Sequence, residues 1–353
     1  LNPQPLNPQP IDPQPLNPQP FNPQPFNLKP LNPQPLNPQP LNPRPSNTTE
    51  VINPHPYKFT INNPGKCSKD VFLLIMVISA PGDADLRHAI RKTWGQETID
   101  PDIVMKTVFT VGIPNNASVQ KNLEHENTLN QDIIQEDFVD SYRNLTLKTV
   151  MCLKWASEFC PGAKFVMKVD DDTFVNIYSL VRHLKRLFAN KTTRLVTGHV
   201  NSGVEPIRDS NATEKFRRWY ISTKDYPWET FPDYASGLAY VMSGDVVRPL
   251  YEASWTVKYL FLEDVFLGHC MEKLGIKPVH HGGFIPYQDW TTPYCTSVEL
   301  LAAHWSKIPG SIYAAWSRLS NMCVGVASIN DDKLYEWQNL IKQQQAKKAR
   351  LNL

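Results

Sequence analysis

The chain has 353 residues, with 36 Lys+Arg against 34 Asp+Glu and a formal net charge of +2. That balance gives no bulk electrostatic reason to bind nucleic acid. Residues 1–45 are pentads, mostly Leu-Asn-Pro-Gln-Pro, which hold 17 of the 32 prolines and none of the 15 glycines. One apolar residue per pentad and few backbone donors bury too little to offset ordering entropy, which excludes the repeat from any catalytic machinery and predicts disorder.

Residues 46–66, polar with several prolines, read as a linker into one folded domain over 67–330, followed by a polar tail over 331–353. Val71–Ile78 is eight unbroken apolar residues, too short for a membrane span and suited to a buried parallel strand. After the turn Ala80-Pro81-Gly82-Asp83, the residues Leu86, Ile90, Thr93 and Trp94 follow at helical spacing, with Gly95 as a stop. Val104–Val111 predicts a second strand, Leu145–Phe159 a helix and Phe165–Val169 a short buried strand. Ile177, Leu180, Val181, Leu184, Leu187 and Phe188 mark one face of a further helix. Arg194–Thr197 and Ala239–Met242 read as strands, the latter ending at a helix cap, Ser243. A helix starting at Glu263 runs to Leu274 with Gly275 as its stop, and the lysine- and glutamine-rich end predicts a solvated helix. Alternating strands and helices argue for an α/β domain with a mostly parallel sheet.

Six cysteines occur without a C-x-x-C pair, which disfavours a zinc site and leaves 15 disulfide pairings open. Five N-x-S/T sequons, at Asn47, Asn116, Asn144, Asn190 and Asn211, are glycosylation candidates and suggest a lumenal, disulfide-permitting setting. No segment reaches ~18 apolar residues, so a membrane anchor is expected only upstream of the initial leucine.

Two acidic clusters carry candidate chemistry. Asp170, Asp171 and Asp172 follow the buried strand Phe165–Val169, at the end of a strand where open α/β sheets bind ligands. Carboxylates so spaced hold a divalent cation that bridges to a diphosphate, whereas a solvated turn capping the helix at Asn176 fits the same residues. Glu263 and Asp264 lie in an apolar stretch at a helix start, where the helix dipole alone accounts for acids. A partly buried Asp264 also has a raised pKa and becomes a better base. Between the clusters lie Trp219, Tyr220, Tyr226, Trp228, Phe231 and Tyr234, aromatics that suit either core packing or the apolar faces of sugars. Gly237 follows in Tyr234-Ala235-Ser236-Gly237 and permits a close backbone approach.

Several ordered motifs over about residues 57–320 resemble the Golgi beta-1,3-galactosyltransferases, within the wider beta-1,3-glycosyltransferases. They include Tyr57-Lys58-Phe59, Ile61-Asn62-Asn63-Pro64-Gly65-Lys66-Cys67, Arg87-His88-Ala89-Ile90-Arg91-Lys92-Thr93-Trp94-Gly95 and Glu136-Asp137-Phe138-Val139-Asp140-Ser141-Tyr142-Arg143-Asn144-Leu145-Thr146-Leu147-Lys148-Thr149. Val166-Met167-Lys168 with the acidic triplet, Glu263-Asp264-Val265-Phe266 and the late His304 complete the series. The resemblance implies a nucleotide-sugar-binding GT-A-type, Rossmann-like fold and inverting transfer of galactose from UDP-galactose to the 3-hydroxyl of a GlcNAc- or GalNAc-terminated glycan. It implies Mn²⁺ or Mg²⁺ as cofactor, held by Asp172 and His304 with Asp170. The donor falls to Arg87, Asp170 and Asp171, the acceptor to Trp219, Tyr234 and Glu263, and Asp264 is the general base. It further implies a catalytic domain in the Golgi lumen on a single-pass type II anchor, with the pentads as its stem, a spacer of at most ~140 Å as extended polyproline II.

The family resemblance assigns Cys67, Cys160, Cys270 and Cys295 as family cysteines, with Cys270–Cys295 the favoured bridge. Ala235 and Ala239 depart from the cysteine and glycine that many galactosyltransferases carry there, so transfer of N-acetylglucosamine stays open. A catalytically silent glycan-binding protein of the same fold is the alternative of another class.

Overall fold

The computed structural model describes residues 50–67, 70–209, 213–286 and 300–327, with the side chains of 214, 215 and 320–327 excepted. The pentad repeat, Cys295 and the polar tail lie outside the described residues. Along the chain run β1 (Phe59–Ile61), β2 (Val71–Ile78), α1 (Ala84–Lys92), β3 (Val104–Ile113), α2 (Ala117–Asn130) and β4 (Ile133–Val139). Next come α3 (Leu145–Phe159), β5 (Phe165–Asp170), β6 (Thr173–Val175), α4 (Ile177–Ala189) and β7 (Val196–Asn201). After the single turn α5 (Glu214–Arg217) follow β8 (Tyr234–Ser243), α6 (Gly244–Ser254) and α7 (Glu263–Lys273). The short strands β9 (Val279–His280), β10 (Phe284–Ile285) and β11 (Ala302–His304) precede α8 (Pro309–Ala327).

Eight strands form one mixed sheet in the order β1-β4-β3-β2-β5-β8-β7-β9, and β10-β11-β6 form a small second sheet. The pairs β4/β3, β3/β2, β2/β5 and β7/β9 are parallel, while β1/β4, β5/β8 and β8/β7 are antiparallel. All eight residues of β2 are buried. Leu74, Met76 and Ile78 pack with α3, α6 and α7 residues on one face, and Leu73, Ile75 and Val77 with α1, α4 and α8 residues on the other. A strand covered on both faces has no position for a polar residue, hence its unbroken apolar run.

The expected strands and helices from Val71 to Gly275 are present, but β7 runs over Val196–Asn201 rather than Arg194–Thr197, with Arg194 at φ 53°, and β8 begins at Tyr234 rather than Ala239. Gly275 leaves α7 in the left-handed conformation (φ 63°). Two elements carry little sequence signal. Helix α2 buries only Leu123, so it lacks an apolar stripe and rests on the cap in which Asn116 Oδ1 accepts from Ser118 N at 2.8 Å. Strand β4 interleaves Gln135 and Glu136, both fully buried, with its apolar residues.

The stretch read as a linker is corrected: from residue 52 onward it belongs to the domain. Ile52 N and Asn53 N both donate to Trp255 O at 2.9 Å, and Phe59 pairs with Glu136. His55 Nε2 lies 2.5 Å from Glu136 Oε2, and Trp155 Nε1 donates to Asn62 Oδ1 at 2.8 Å. Polar anchors and a three-residue edge strand hold it, which hydrophobic periodicity does not reveal.

Cys67 and Cys160 form a disulfide across a sequence separation of 93, tying the approach to β2 to the end of α3. Cys152 and Cys270 are buried thiols, and Cys295, the expected partner of Cys270, lies outside the described residues. Among the described residues no helix is long and apolar enough to cross a membrane. Closing the long loop between Cys67 and Cys160 removes denatured-state entropy worth about 4.6 kcal/mol. Cys67→Ser with Cys160→Ser is therefore expected to lose about that much in urea unfolding, and an unchanged midpoint would rule the bridge out as a stabiliser.

Candidate active site

From β2 the chain proceeds to β3 and β4 on one side, then returns to place β5 on the other side of β2. Such a reversal opens a crevice at the carboxyl ends of the two strands, where α/β sheets bind ligands. The β2 end supplies Ser79, Ala80 and Pro81, and the β5 end supplies Asp170 to Asp172. Asp171 N donates to Ile78 O at 3.1 Å and joins the two ends.

Arg87, expected at the donor, is fully buried on α1. Its donors go to Glu126 Oε1 and Oε2 (2.9 and 2.6 Å), Ser79 Oγ (3.1 Å), Ala80 O (2.6 Å) and Pro81 O (3.0 Å). All five guanidinium N–H groups have internal partners, and through them Arg87 braces the loop after β2.

The three aspartates have distinct surroundings. Asp170 Oδ1 accepts from Lys168 Nζ at 2.7 Å. Burial pushes its carboxyl up to about 7, with Asp172 and Glu263 adding to the shift and Lys168 opposing it. Asp171 is 3% exposed, and its Oδ2 is a buried oxygen without a hydrogen-bond partner. Burial raises it to about 6 against the pull of Lys307, whose Nζ is 3.7 Å from Oδ1. Asp172 faces His304, Nε2 to Oδ2 3.6 Å. Burial would raise Asp172, but His304, Lys307 and Lys168 outweigh it and hold the carboxyl below its usual range. Asp172 raises His304 in turn, against burial. His304 arrives there because β11 pairs antiparallel with β6, His304 opposite Thr173, and Trp305 N donates to Asp172 O at 2.6 Å. The reading of the triplet as a solvated capping turn is not met: Asn176 Oδ1 alone caps the helix, accepting from Ser179 N at 3.2 Å, and Asp171 is buried.

Among the described residues no three metal-binding side chains converge. A carboxylate with an imidazole beside an unpartnered buried carboxylate oxygen nevertheless fits a divalent cation that completes its shell with substrate and water oxygens.

Lys168, on β5, is 2% exposed and joins the two acidic clusters. Its Nζ donates to Asp170 Oδ1, to Glu263 Oε1 at 2.8 Å and to Gly237 O. Burial lowers its pKa, but Asp170 and Glu263 more than offset this and the ammonium stays charged. Glu263 Oε2 accepts from Thr149 Oγ1 at 2.9 Å and from Tyr240 OH at 3.4 Å. Both oxygens of Glu263, expected at the acceptor, thus have internal partners. Gly237 is a close approach of another kind than expected, because a Cβ there would lie 2.6 Å from Glu263 Oε1.

Asp264, the next residue, is only half-buried. Its Oδ2 accepts from Gly237 N at 3.2 Å and its Oδ1 from Val265 N at 2.9 Å. Burial lifts its carboxyl to about 6, with Glu263 adding and the backbone donors and Lys168 opposing.

Trp219 Nε1 donates to Tyr142 OH at 2.7 Å, and Asp264 and Asp170 both act on the Tyr142 hydroxyl, whose pKa burial raises. Tyr234 opens β8 and packs its Cβ close to Gly268 of α7. Of the sequons, Asn116 and Asn190 are exposed, while Asn144 Nδ2 donates to Val139 O at 2.7 Å; Asn47 and Asn211 lie outside the described residues. Sequence reasoning passed over Lys168 and Tyr142 as site residues, although a lysine inside the buried strand Phe165–Val169 is itself a signal of a buried partner.

Lys168→Met would leave Asp170 and Glu263 uncompensated, and its urea midpoint should fall by the equivalent of about 3–5 kcal/mol. Adding Glu263→Gln should recover part of that loss; strict additivity of the two changes would contradict the coupling.

The galactosyltransferase family signature matches residues 85–282. The chain is 38% identical over 276 residues to human beta-1,3-galactosyltransferase 1, covering 77% of this chain and 82% of that protein. It is 40% identical over 258 residues to human lactosylceramide 1,3-N-acetyl-beta-D-glucosaminyltransferase, covering 70% and 66% respectively. Among solved structures, mouse xyloside xylosyltransferase 1 in its apo form resembles it at a TM-score of 0.34 and 11% identity, over 67% of this chain and 97% of that one. With a family match across more than half its length and relatives this similar over most of theirs, the chain belongs to the galactosyltransferase family.

Proposed function

We propose that this protein transfers galactose from UDP-galactose, with inversion, to the 3-hydroxyl of a GlcNAc- or GalNAc-terminated glycan on a glycoprotein or glycolipid. The observation that carries this reading is Asp264, a half-buried carboxylate raised to about 6 and held by Gly237 N and Val265 N. A base tuned near neutrality takes the acceptor hydroxyl proton as that oxygen attacks the anomeric carbon from the face opposite the leaving group. Lys168 and Glu263 fix the Gly237 and Asp264 segments relative to β5, so the base and the triplet keep their separation. Arg87 shapes the loop over which a GT-A-type fold would seat the nucleotide.

Asp172 and His304, with Asp170 beside them, would hold Mn²⁺ or Mg²⁺. Bound there, the cation would neutralise charge on the departing diphosphate. A Golgi-lumenal location on an upstream anchor belongs to the same reading and is supported by the disulfide. Transfer of N-acetylglucosamine is the second reading, favoured by the 40% identity to an N-acetylglucosaminyltransferase.

Asp264→Asn should retain UDP binding and lower kcat by at least ~10²-fold; normal turnover would remove Asp264 from the base role. Because only the ionised carboxylate accepts a proton, kcat/KM should fall as pH drops below about 6. A profile flat to about pH 4, the ordinary carboxylate range, would contradict this assignment. Chelation with EDTA should abolish transfer and also the rise in melting temperature that UDP produces, and added Mn²⁺ should restore both.

A further inference from the structure

The strand ends β5 and β6 and the start of α7 present carboxylates: Asp170, Asp172 and Asp264. Arg218 carries the opposite charge close by: it is near enough to act on His304, and the Tyr142 ring beside it is near enough to feel Asp264 and Asp170. Arg218, exposed and directly after α5, lays its guanidinium over the Trp219 ring at 4.5 Å, with Tyr142 next to it at 5.9 Å. The hydrogen bond from Trp219 Nε1 to Tyr142 OH locks the two aromatic rings into one shelf beneath it. A second exposed guanidinium, Arg143, stacks on Phe261 at 3.9 Å, three residues before Asp264. Tyr259 OH donates to Arg143 O at 3.0 Å and ties this segment to the same loop. Both cations are thus seated on aromatic faces rather than in ion pairs among the described residues.

A guanidinium stacked on a ring keeps its N–H edge free while losing side-chain freedom, so it is pre-organised for a planar or tetrahedral oxyanion. Neutral sugar hydroxyls need no such cation, because Tyr142 and Trp219 already offer an apolar face with polar tips. The triplet and His304, at the ends of β5, β6 and β11, lie on the donor side of the proposed reaction, and the shelf leads from them toward the base.

We propose that Arg218, seated on Trp219 and Tyr142, selects acceptor glycans that carry an anionic group, a sulfate ester or a carboxylate, near the attacked hydroxyl. This inference rests on the glycosyl-transfer reading and adds the class of acceptor.

The test compares benzyl N-acetylglucosaminide with its 6-O-sulfated form as acceptors for the wild type, Arg218→Gln and Arg218→Lys. For Arg218→Gln, the ratio of kcat/KM on sulfated to neutral acceptor should fall about tenfold, the size of one charge-assisted hydrogen bond. Arg218→Lys should fall between, since it keeps the charge and loses the fork. The KM for UDP-galactose should not move. An unchanged ratio overturns the proposal, and so does an equal loss on both acceptors with a raised donor KM, which would assign Arg218 to the nucleotide diphosphate. Calorimetric titration of the sulfated glycoside onto the UDP-bound protein separates this from the activity itself. If the wild type transfers to neither acceptor yet binds the sulfated glycoside through Arg218, the selection stands and the transfer reading fails. Equal binding by wild type and Arg218→Gln overturns it.

Discussion

A single buried ammonium holds the two halves of the site in register. Lys168 Nζ reaches Asp170 on its own strand, Glu263 at the start of α7 and the Gly237 carbonyl on β8. Three elements far apart in sequence therefore meet at one charge with 2% exposure. The arrangement is sensitive by construction, because a buried charge is tolerated only while its partners and hydrogen bonds are complete. Glu263 closes it with Thr149 and Tyr240, so α3 and β8 are drawn into the same network. The close passage of Gly237 past Glu263 belongs to the same constraint, since no side chain fits between them.

The backbone supplies what this network positions. Reversal of the chain between β2 and β5 brings a loop braced by Arg87 beside the aspartate triplet. Pairing of β6 with β11 then delivers His304 to Asp172 from near the end of the described chain. Neighbouring carboxylates consequently differ in acidity: Asp172 is held low by a cationic neighbour, while Asp171 and Asp264 are pushed up by burial. Environments that separate the pKa values of like groups give them separate tasks.

Much of this was legible in the residues. Val71–Ile78 reads as a doubly covered strand because eight apolar side chains need two apolar faces. Ile177–Ala189 shows helical spacing because one face, Ile177, Leu180, Val181 and Leu184, is buried, whereas Leu145–Phe159 is buried nearly all round and is marked by its length and pattern. Residues 52–61 and α2 were not legible, since polar contacts and caps rather than an apolar period hold them. Arg87 and Glu263 show the same limit at the site: a residue's type announces that it forms strong polar contacts, but not whether they point inward.

The sequence by itself determined the α/β alternation, the position of both acidic clusters after strand or loop ends, and the family motifs that order them. Only the tertiary structure decided that Arg87 and Glu263 are internal braces, that Cys67 pairs with Cys160 and that Lys168 joins the clusters. The physical reason is range. Helix and strand periodicity are encoded in neighbours a few positions apart, whereas the direction a charged side chain takes depends on which distant segment packs beside it.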